Sequence, residues 1–324
     1  MKRIAFIVAA LAAMASFALP RTAYAANARS WVASTGLDGN PCTRDQPCQT
    51  FGHALTQTNV GGEINCVDQG EFGGNGFVIS HSITIDCEGV TGGVTTNSGD
   101  AIQIQAATSD VVVLRGLDIA ASPGGQTGIA IQQTGVVHIE KCVIHDFISS
   151  PAQGIQIGPD SNAEVFVSDT VVMNNSGLTG AGIFIVPNST NIIVKVVLNR
   201  VEARNNFFGI KAEGTSLGGG VINMTVRDSV SVGNASNGIV ATGPASGAAI
   251  VMMIDRSAAS HNAAGFGVIA DGPKTTIRLG GSSIAGNVNG VGVSNGGVLQ
   301  SYGTNQINGN SNDGIASLTP IGLH

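Results

Sequence analysis

Short runs in which apolar and polar residues alternate follow one another from about residue 60 to residue 318. Ile129 and Ile131 form one such pair, and Ile183 and Ile185 form another. Because successive side chains of a strand point to opposite faces, each run predicts a short β-strand with one buried face. No amphipathic helix pattern interrupts these runs, which excludes the helical repeat arrays.

A glycine followed by an apolar residue recurs along the same region at intervals of 23 to 29 residues. Self-similarity at such a period is typical of solenoids and propellers. A propeller blade of four strands needs about 40 residues, whereas a coil of three short strands needs fewer. The sequence therefore predicts an all-β parallel β-helix with three strands per coil. The glycines are Gly128, Gly154, Gly182, Gly209, Gly238, Gly267, Gly290 and Gly314.

An asparagine stands a few residues before most of these glycines. Asparagine tolerates the left-handed backbone of a sharp turn, and stacked amides can form hydrogen bonds along a ladder. These residues therefore predict a structural corner between two strands of each coil. They are Asn175, Asn206, Asn234, Asn262, Asn287 and Asn310.

The spacing between this asparagine and the preceding apolar residues is not constant. Val230 and Val232 lie four and two residues before Asn234, whereas Ile284 lies three residues before Asn287. The register of the last two coils is therefore left open by the sequence.

The first 25 residues have the layout of a secretory signal peptide. Lys2 and Arg3 precede an apolar run, and Ala23 to Ala25 supply a small-residue cleavage site. We expect a secreted or periplasmic protein with no membrane span after cleavage. Cleavage would remove three basic residues and no acid, which takes the formal charge from −6 to −9. Such an acidic chain lacks the basic face that nucleic-acid binding requires.

Residues 26–60 are predicted to cap the front end, and residues 61–324 to form the β-helix. Thr50 is placed to cap a short helix that carries Phe51, Ala54 and Leu55 on one side. Such a helix would cover the open strand edges of the first coil.

Five cysteines are distributed over the first half of the chain. Cys42 and Cys48 flank a short loop that a disulfide would close. Cys66 and Cys87 lie 21 residues apart, about one coil, and would stack at the strand spacing of about 4.8 Å. Either a disulfide or two stacked thiols would fit the second pair. Cys142 is interpreted as a buried small apolar residue.

The repeats resemble those of right-handed parallel β-helix proteins of the pectin-lyase-like superfamily. The opening segment GLDGNPCTRDQPCQTFGHALTQTNVGGEINCVDQGEFGG is similar to the start of many secreted proteins of this kind. The resemblance implies a right-handed single-stranded helix, and polysaccharide lyases, galacturonases and pectin esterases belong to this superfamily. The galacturonase elements NTD, GHG and RIK are missing, and HDFISS only partly matches the esterase DFIFG. No carboxylate cluster for calcium is apparent, so no cofactor and no metal are predicted.

Charged residues recur six positions before four successive corner asparagines. In chain order they are Asp169, Arg200, Asp228 and Arg256. At one-coil spacing they predict a column of alternating charge along an outer corner. Mutual compensation of acid and base is one interpretation, and a polar groove for a sugar chain is the other.

Glu140, Lys141, His145 and Asp146 form a second cluster. A histidine beside an aspartate can act as a general base when the pair is oriented. However, neighbouring strand residues point to opposite faces, so His145 and Asp146 need not cooperate. Asp146 lies near the predicted corner and is also suited to turn the chain there. With Asp228 and Arg256, these two residues are the weak catalytic candidates.

Two functional classes remain open from the sequence. The first is an exported scaffold or surface protein without a catalytic site that binds extracellular or envelope polysaccharide along one face. The second is a polysaccharide lyase or glycoside hydrolase that acts on acidic glycans. End-to-end self-association is a further expectation. The low aromatic content argues against a platform on which sugars stack.

Overall fold

The computed structural model describes residues 27–214 and 218–323. The predicted signal peptide at residues 1–25 lies outside this part. Within it, nearly all regular structure is β-strand, and the strands form three sheets in which every neighbouring pair is parallel. The prediction of an all-β parallel β-helix is confirmed.

Strands are numbered β1 to β31 in chain order, and each sheet takes every third strand through most of the chain. Sheet A consists of β1 (Asn27–Val32), β2 (Thr58–Cys66), β5 (Ile83–Asp86), β8 (Val111–Arg115), β11 (Val136–Glu140), β14 (Ala163–Ser168), β17 (Ile193–Asn199), β20 (Val221–Arg227), β23 (Ala249–Asp255), β26 (Thr275–Gly280), β29 (Val298–Ser301) and β31 (Leu318–Pro320). Sheet B consists of β3 (Gly70–Glu71), β6 (Gly92–Thr96), β9 (Leu117–Ala121), β12 (Val143–His145), β15 (Val171–Met173), β18 (Glu202–Arg204), β21 (Val230–Val232), β24 (Ala258–Ser260), β27 (Ser283–Ala285) and β30 (Gln306–Ile307). Sheet C consists of β4 (Phe77–Ile79), β7 (Gly99–Gln105), β10 (Gly125–Gln133), β13 (Gln153–Ile157), β16 (Ala181–Ile185), β19 (Phe208–Glu213), β22 (Ile239–Thr242), β25 (Phe266–Asp271) and β28 (Asn289–Ser294).

Each coil runs from sheet A through a tight bend to sheet B, turns a second corner to sheet C, and returns through a loop. Inward side chains stack in register from coil to coil, as Val165 does between Val137 and Val196. These stacked residues form one continuous apolar core along the axis. Outward side chains form equally regular columns, so residues one coil apart are neighbours on the surface.

The corner asparagines form a buried ladder. The Nδ2 of Asn175 donates to Oδ1 of Asn206 at 3.0 Å, and Asn234 repeats this contact with Asn262 at 2.9 Å. From Asn206 onward each Oδ1 also accepts the backbone N–H of the preceding asparagine, as Asn206 does from Asn175 at 3.0 Å. The left-handed backbone belongs to the residue before each ladder asparagine, for example Asn174 and Asn205. Hydrogen bonding along the axis, rather than a left-handed backbone, therefore explains these asparagines.

The register stays constant through the last coils. The inward position three residues before each ladder asparagine is held in turn by Ser231, Ala259 and Ile284. Val230 and Val232 flank Ser231 and point outward. A polar residue at the inward position had therefore hidden the regular spacing, because Ser231 is buried and donates to the carbonyl of Gly238.

The repeated glycines lie against the ladder. A Cβ atom at Gly182 would come within 2.6 Å of Nδ2 of Asn206, and one at Gly209 within 2.7 Å of Nδ2 of Asn234. Six of the eight, Gly154 to Gly290, need no left-handed backbone, because an asparagine amide occupies the space of a side chain, whereas Gly314 has a φ of 73° and lies against Val291. The glycine and the asparagine of the repeat are thus two halves of one packing arrangement.

The front end is closed by helix α1 (Phe51–Gln57), which buries Phe51, Ala54 and Leu55. Oγ1 of Thr50 accepts the N–H of His53 at 3.1 Å, which confirms the predicted cap. Strand β1 pairs with β2 as the first strand of sheet A and so covers the edge of β2. At the far end a 3₁₀ helix (Ile315–Ser317) precedes β31.

One disulfide closes a loop of the capping segment, and a second joins the first two coils. Cys42 is bonded to Cys48, and Cys66 to Cys87, so both predicted bridges are confirmed. Cys142 is a free, buried thiol. The described helices are all too short, or too polar, to cross a lipid bilayer.

Candidate functional site

The bend between sheets A and B carries the predicted charge column. Asp169, Arg200, Asp228 and Arg256 occupy this bend in four successive coils, each with a left-handed backbone. Lys141 has the same place one coil earlier and is also left-handed, with φ of 53°. This backbone directs the side chains out from the corner, where they meet their neighbours along the axis.

The charges of the column are paired across coils. Arg200 contacts both carboxylate oxygens of Asp169 at 2.6 and 2.7 Å, and Arg256 contacts both of Asp228 at 2.9 Å. Nη1 of Arg256 also donates to Asp255 at 2.8 Å. Each pair is thus a bidentate contact between a guanidinium and a carboxylate.

These pairs fix the ionisation of their members. The hydrogen bond from Arg200 lowers the pKa of Asp169, and the one from Arg256 lowers the pKa of Asp228. Asp169 and Asp228 are each bound to an arginine, so their negative charges are already neutralised before any ligand could bind. The geometry therefore favours mutual compensation over a groove for sugar.

A depression lies on the same corner where the column is interrupted. Gly116 takes the place of a charged residue, and a Cβ there would meet the backbone of Cys87 at 2.7 Å. Across the gap Lys141 reaches Glu88, two coils away, and the two form an ion pair. The depression holds about 380 Å³ and is also lined by Asp118.

His145 stands beside this depression in β12. Its Nδ1 lies 2.7 Å from Oδ2 of Asp146, and its Nε2 lies 2.9 Å from Oδ1 of Asp118 in the preceding coil. Asp146 has a φ of 65° and turns the chain, so it bends back to its neighbour instead of pointing to the opposite face. Strand alternation does not apply to this pair, because Asp146 belongs to the corner.

Glu140 and Lys141, which the sequence places in one cluster with His145 and Asp146, contact other residues. Glu140 accepts from Nε of Arg115 at 2.9 Å on the face of sheet A, and Lys141 is bound to Glu88. The hydrogen bond that Lys141 donates to Glu88 raises the pKa of Lys141, which keeps the amine protonated. A protonated lysine cannot accept the proton that a lyase must remove from its substrate.

One group of three metal-ligating side chains is present among the described residues, namely Cys42, Cys48 and His53. Both cysteines are joined in a disulfide, so they offer no thiolate to a metal.

The outer face of sheet A offers a longer surface. One shallow groove of about 310 Å³ lies where the return loops enter this sheet, and a second of about 340 Å³ lies on its outer face; the two share Lys195. Asn223, Thr225 and Met253 line the second groove, and Arg278 stands at its far end. Arg278 makes no ion pair with any described residue, whereas Lys195 is bound to Glu164 at 2.7 Å.

The face of sheet A also carries aromatic side chains at intervals. Trp31 and Tyr302 mark the two ends of one outward column, ten strand spacings apart, which is about 48 Å. The rings of His138 and Phe166 stack between them at 5.0 Å, in the adjacent column. Each of these four side chains is half-buried.

The sequence interpretation missed this surface because it weighed total aromatic content rather than position. The signal was present in the alternation of each strand. Trp31 stands between the buried Ser30 and Val32, just as Arg278 stands between the buried Ile277 and Leu279.

The comparisons with known proteins concern the fold. No protein-family model and no curated protein matches this sequence. A solved structure, the crystal structure of pectate lyase Pel9A, is similar with a TM-score of 0.52. The two sequences are 15% identical over 84% of this chain and 78% of that chain. Identity this low carries the fold and not the activity. The chain thus has a parallel β-helix fold like that of the pectate lyase structure, as the repeats predicted.

Proposed function

We propose that the protein is an exported β-helix without a catalytic site that binds polysaccharide along the outer face of sheet A. The observation that carries this proposal is the set of side chains on that face. Trp31, Phe166 and Tyr302 lie on the same outer face as an open groove that holds Arg278, whose guanidinium pairs with no described carboxylate. An extended glycan offers apolar ring faces and many hydroxyls, which these groups match.

The chemistry of each contact follows from the side chains. Tryptophan and tyrosine combine a large apolar surface with a polar atom, which suits a ligand that is partly apolar. The rings of His138 and Phe166 stack on each other, so one face of each ring is covered by the other ring. Asn223 and Thr225 supply amide and hydroxyl groups to sugar hydroxyls, and Arg278 offers its guanidinium to a sugar carboxylate.

Export is part of the proposal. Two disulfides are typical of proteins from oxidising compartments, which supports a secreted or periplasmic location. A secreted or periplasmic protein would meet the extracellular or envelope polysaccharide that the proposal requires.

The alternative function is a polysaccharide lyase or hydrolase. Its support is the likeness in fold to a structure that is named as a pectate lyase. The candidate catalytic side chains of this chain are already bound to other side chains, since Asp228 is paired with Arg256 and His145 lies between two carboxylates. We therefore place binding ahead of turnover.

Affinity electrophoresis in gels that contain neutral or acidic polysaccharides tests the proposal. We expect the protein to be retarded by at least one glycan, and the retardation to be lost in Trp31→Ala and Tyr302→Ala. Phe184→Ala removes an aromatic ring from sheet C and serves as the matched control, with retardation expected to persist. Circular dichroism confirms that each variant is folded.

Incubation of the same glycans with the protein and calcium separates the two functions. Release of unsaturated or reducing sugars would establish the enzyme. Equal retardation of the wild type and both sheet A variants would show that sheet A is not the binding face.

A further inference from the structure

The contacts of His145 require a particular protonation state. Both ring nitrogens lie within 2.9 Å of a carboxylate oxygen, one from Asp118 and one from Asp146. A neutral imidazole carries one N–H and can donate to one carboxylate, whereas an imidazolium donates to both. The arrangement is therefore complete with a protonated ring.

The described residues around the ring supply no competing cation at this position. Strand β9 contributes Asp118, and β15 places the uncharged Met173 opposite His145. The bend after β15 contributes Asn174, whose Nδ2 donates to Asp146 at 3.1 Å. Beyond Asp118 the depression contains the ion pair of Glu88 and Lys141.

We propose that Asp118, His145 and Asp146 form a pH-sensitive clasp that fastens the bend after β12 to the preceding coil. Loss of the proton from the imidazole breaks one of its two contacts and loosens the bend. The segment that the clasp holds is the loop 147–152, which begins with the buried Phe147 and exposes Ile148 at 59%. Asp118 is then released toward the depression, where its charge is no longer neutralised by His145.

The direction of the pH dependence follows from the titration of the histidine. Partial burial works against the charged ring, but the hydrogen bonds to Asp146 and Asp118 outweigh it, so the pKa of His145 is raised above 6.5. The stabilisation is therefore complete below about pH 6.5 and is lost as the pH rises through the raised value.

Hydrogen exchange of the whole chain at about pH 5 and about pH 9, corrected for intrinsic rates, tests the clasp. We expect the protection of the amides of Asp146 and Phe147, which donate to the carbonyl of Met173 and to Oδ1 of Asn175, to fall at the higher pH. The loop 235–238, at the same corner without a titratable group, serves as the internal control and should keep its protection. In His145→Gln one amide donor remains and does not titrate, so the protection of the Asp146 and Phe147 amides should be equal at both pH values.

Asp118→Asn provides a second measurement that does not depend on the stability of the histidine variant. Removing one carboxylate should move the midpoint of the protection loss to lower pH. Constant protection of the wild type, the same loss in His145→Gln, or an unchanged midpoint in Asp118→Asn would overturn the proposal.

Discussion

Asn234→Ala removes a rung from the middle of the asparagine ladder. The Asn234 side chain is buried, and its Oδ1 accepts the backbone N–H of Asn206 at 3.0 Å. Its Nδ2 donates to Oδ1 of Asn262 at 2.9 Å and lies 3.1 Å from Oγ of Ser231. Alanine keeps the backbone and deletes all of these contacts.

The magnitude follows from the groups left behind. The buried N–H of Asn206 loses its acceptor, which costs about 1–3 kcal/mol. The lost bond to Asn262 adds about 1 kcal/mol, because Oδ1 of Asn262 still accepts the N–H of Asn234 at 3.2 Å. The free energy of unfolding should therefore fall by about 2–4 kcal/mol.

Equilibrium unfolding in guanidinium chloride, followed by circular dichroism and by fluorescence, measures this change. The control is Asn223→Ala, an exposed residue of β20 in the same coil, for which we expect a change within about 0.5 kcal/mol. Agreement between the two probes establishes that the transition is two-state. If Asn234→Ala loses no more stability than Asn223→Ala, the ladder is not a stabilising element and the reasoning fails.

Three further predictions concern the repeat, the charge column and the free thiol. Gly209→Ala should lose about 1–3 kcal/mol, because its Cβ would lie 2.6 Å from the carbonyl oxygen of Gly238, whereas Gly39→Ala, with nothing within 4 Å, should be neutral. Asp228→Asn should lower the melting temperature slightly at low salt and not at high salt, since the pair with Arg256 is exposed. In the wild type the pair should contribute to the stability of the fold at neutral pH. This contribution should be lost as the pH falls below 3.8 and through the lowered pKa of Asp228. Asp228→Asn should not show this loss. Cys142 should resist iodoacetamide until the protein is unfolded, because burial raises the pKa of its thiol to about 12, and mass spectrometry of the native protein after treatment at mildly alkaline pH checks this.

The sequence predicts the fold well because the repeat records steric and hydrogen-bonding needs that every coil shares. Gly182 and Asn206 recur with their counterparts because the amide of one coil fills the space beside the glycine of another. The column of Asp169, Arg200 and Asp228 is likewise visible as a spacing, since residues one coil apart are neighbours on the surface. A pattern that repeats can be found without knowing any of its contacts.

Features that occur once are not accessible in this way. The contact of Asp118 with His145 joins strands that differ in sequence, and it depends on the bend at Asp146. Trp31 comes from the capping segment and Tyr302 from the last coils, and only the register of sheet A places them in one column. The candidate binding face therefore emerges from the structure, although each of its residues alternates with buried neighbours in the sequence.

The separation of inner and outer columns has a consequence for function. Inner columns fix the spacing of the coils, through the ladder at one corner and the hydroxyl groups at the other, where Ser229 and Ser257 accept backbone N–H groups of the preceding coil. The outward residues of the same strands do not set the spacing of the coils, because the backbone pairing does not depend on them. A substitution such as Arg278→Ala can therefore change binding without changing the coil. If the groove of sheet A is the binding face, outward substitutions there should alter glycan affinity at constant stability, while inward ones should alter stability first.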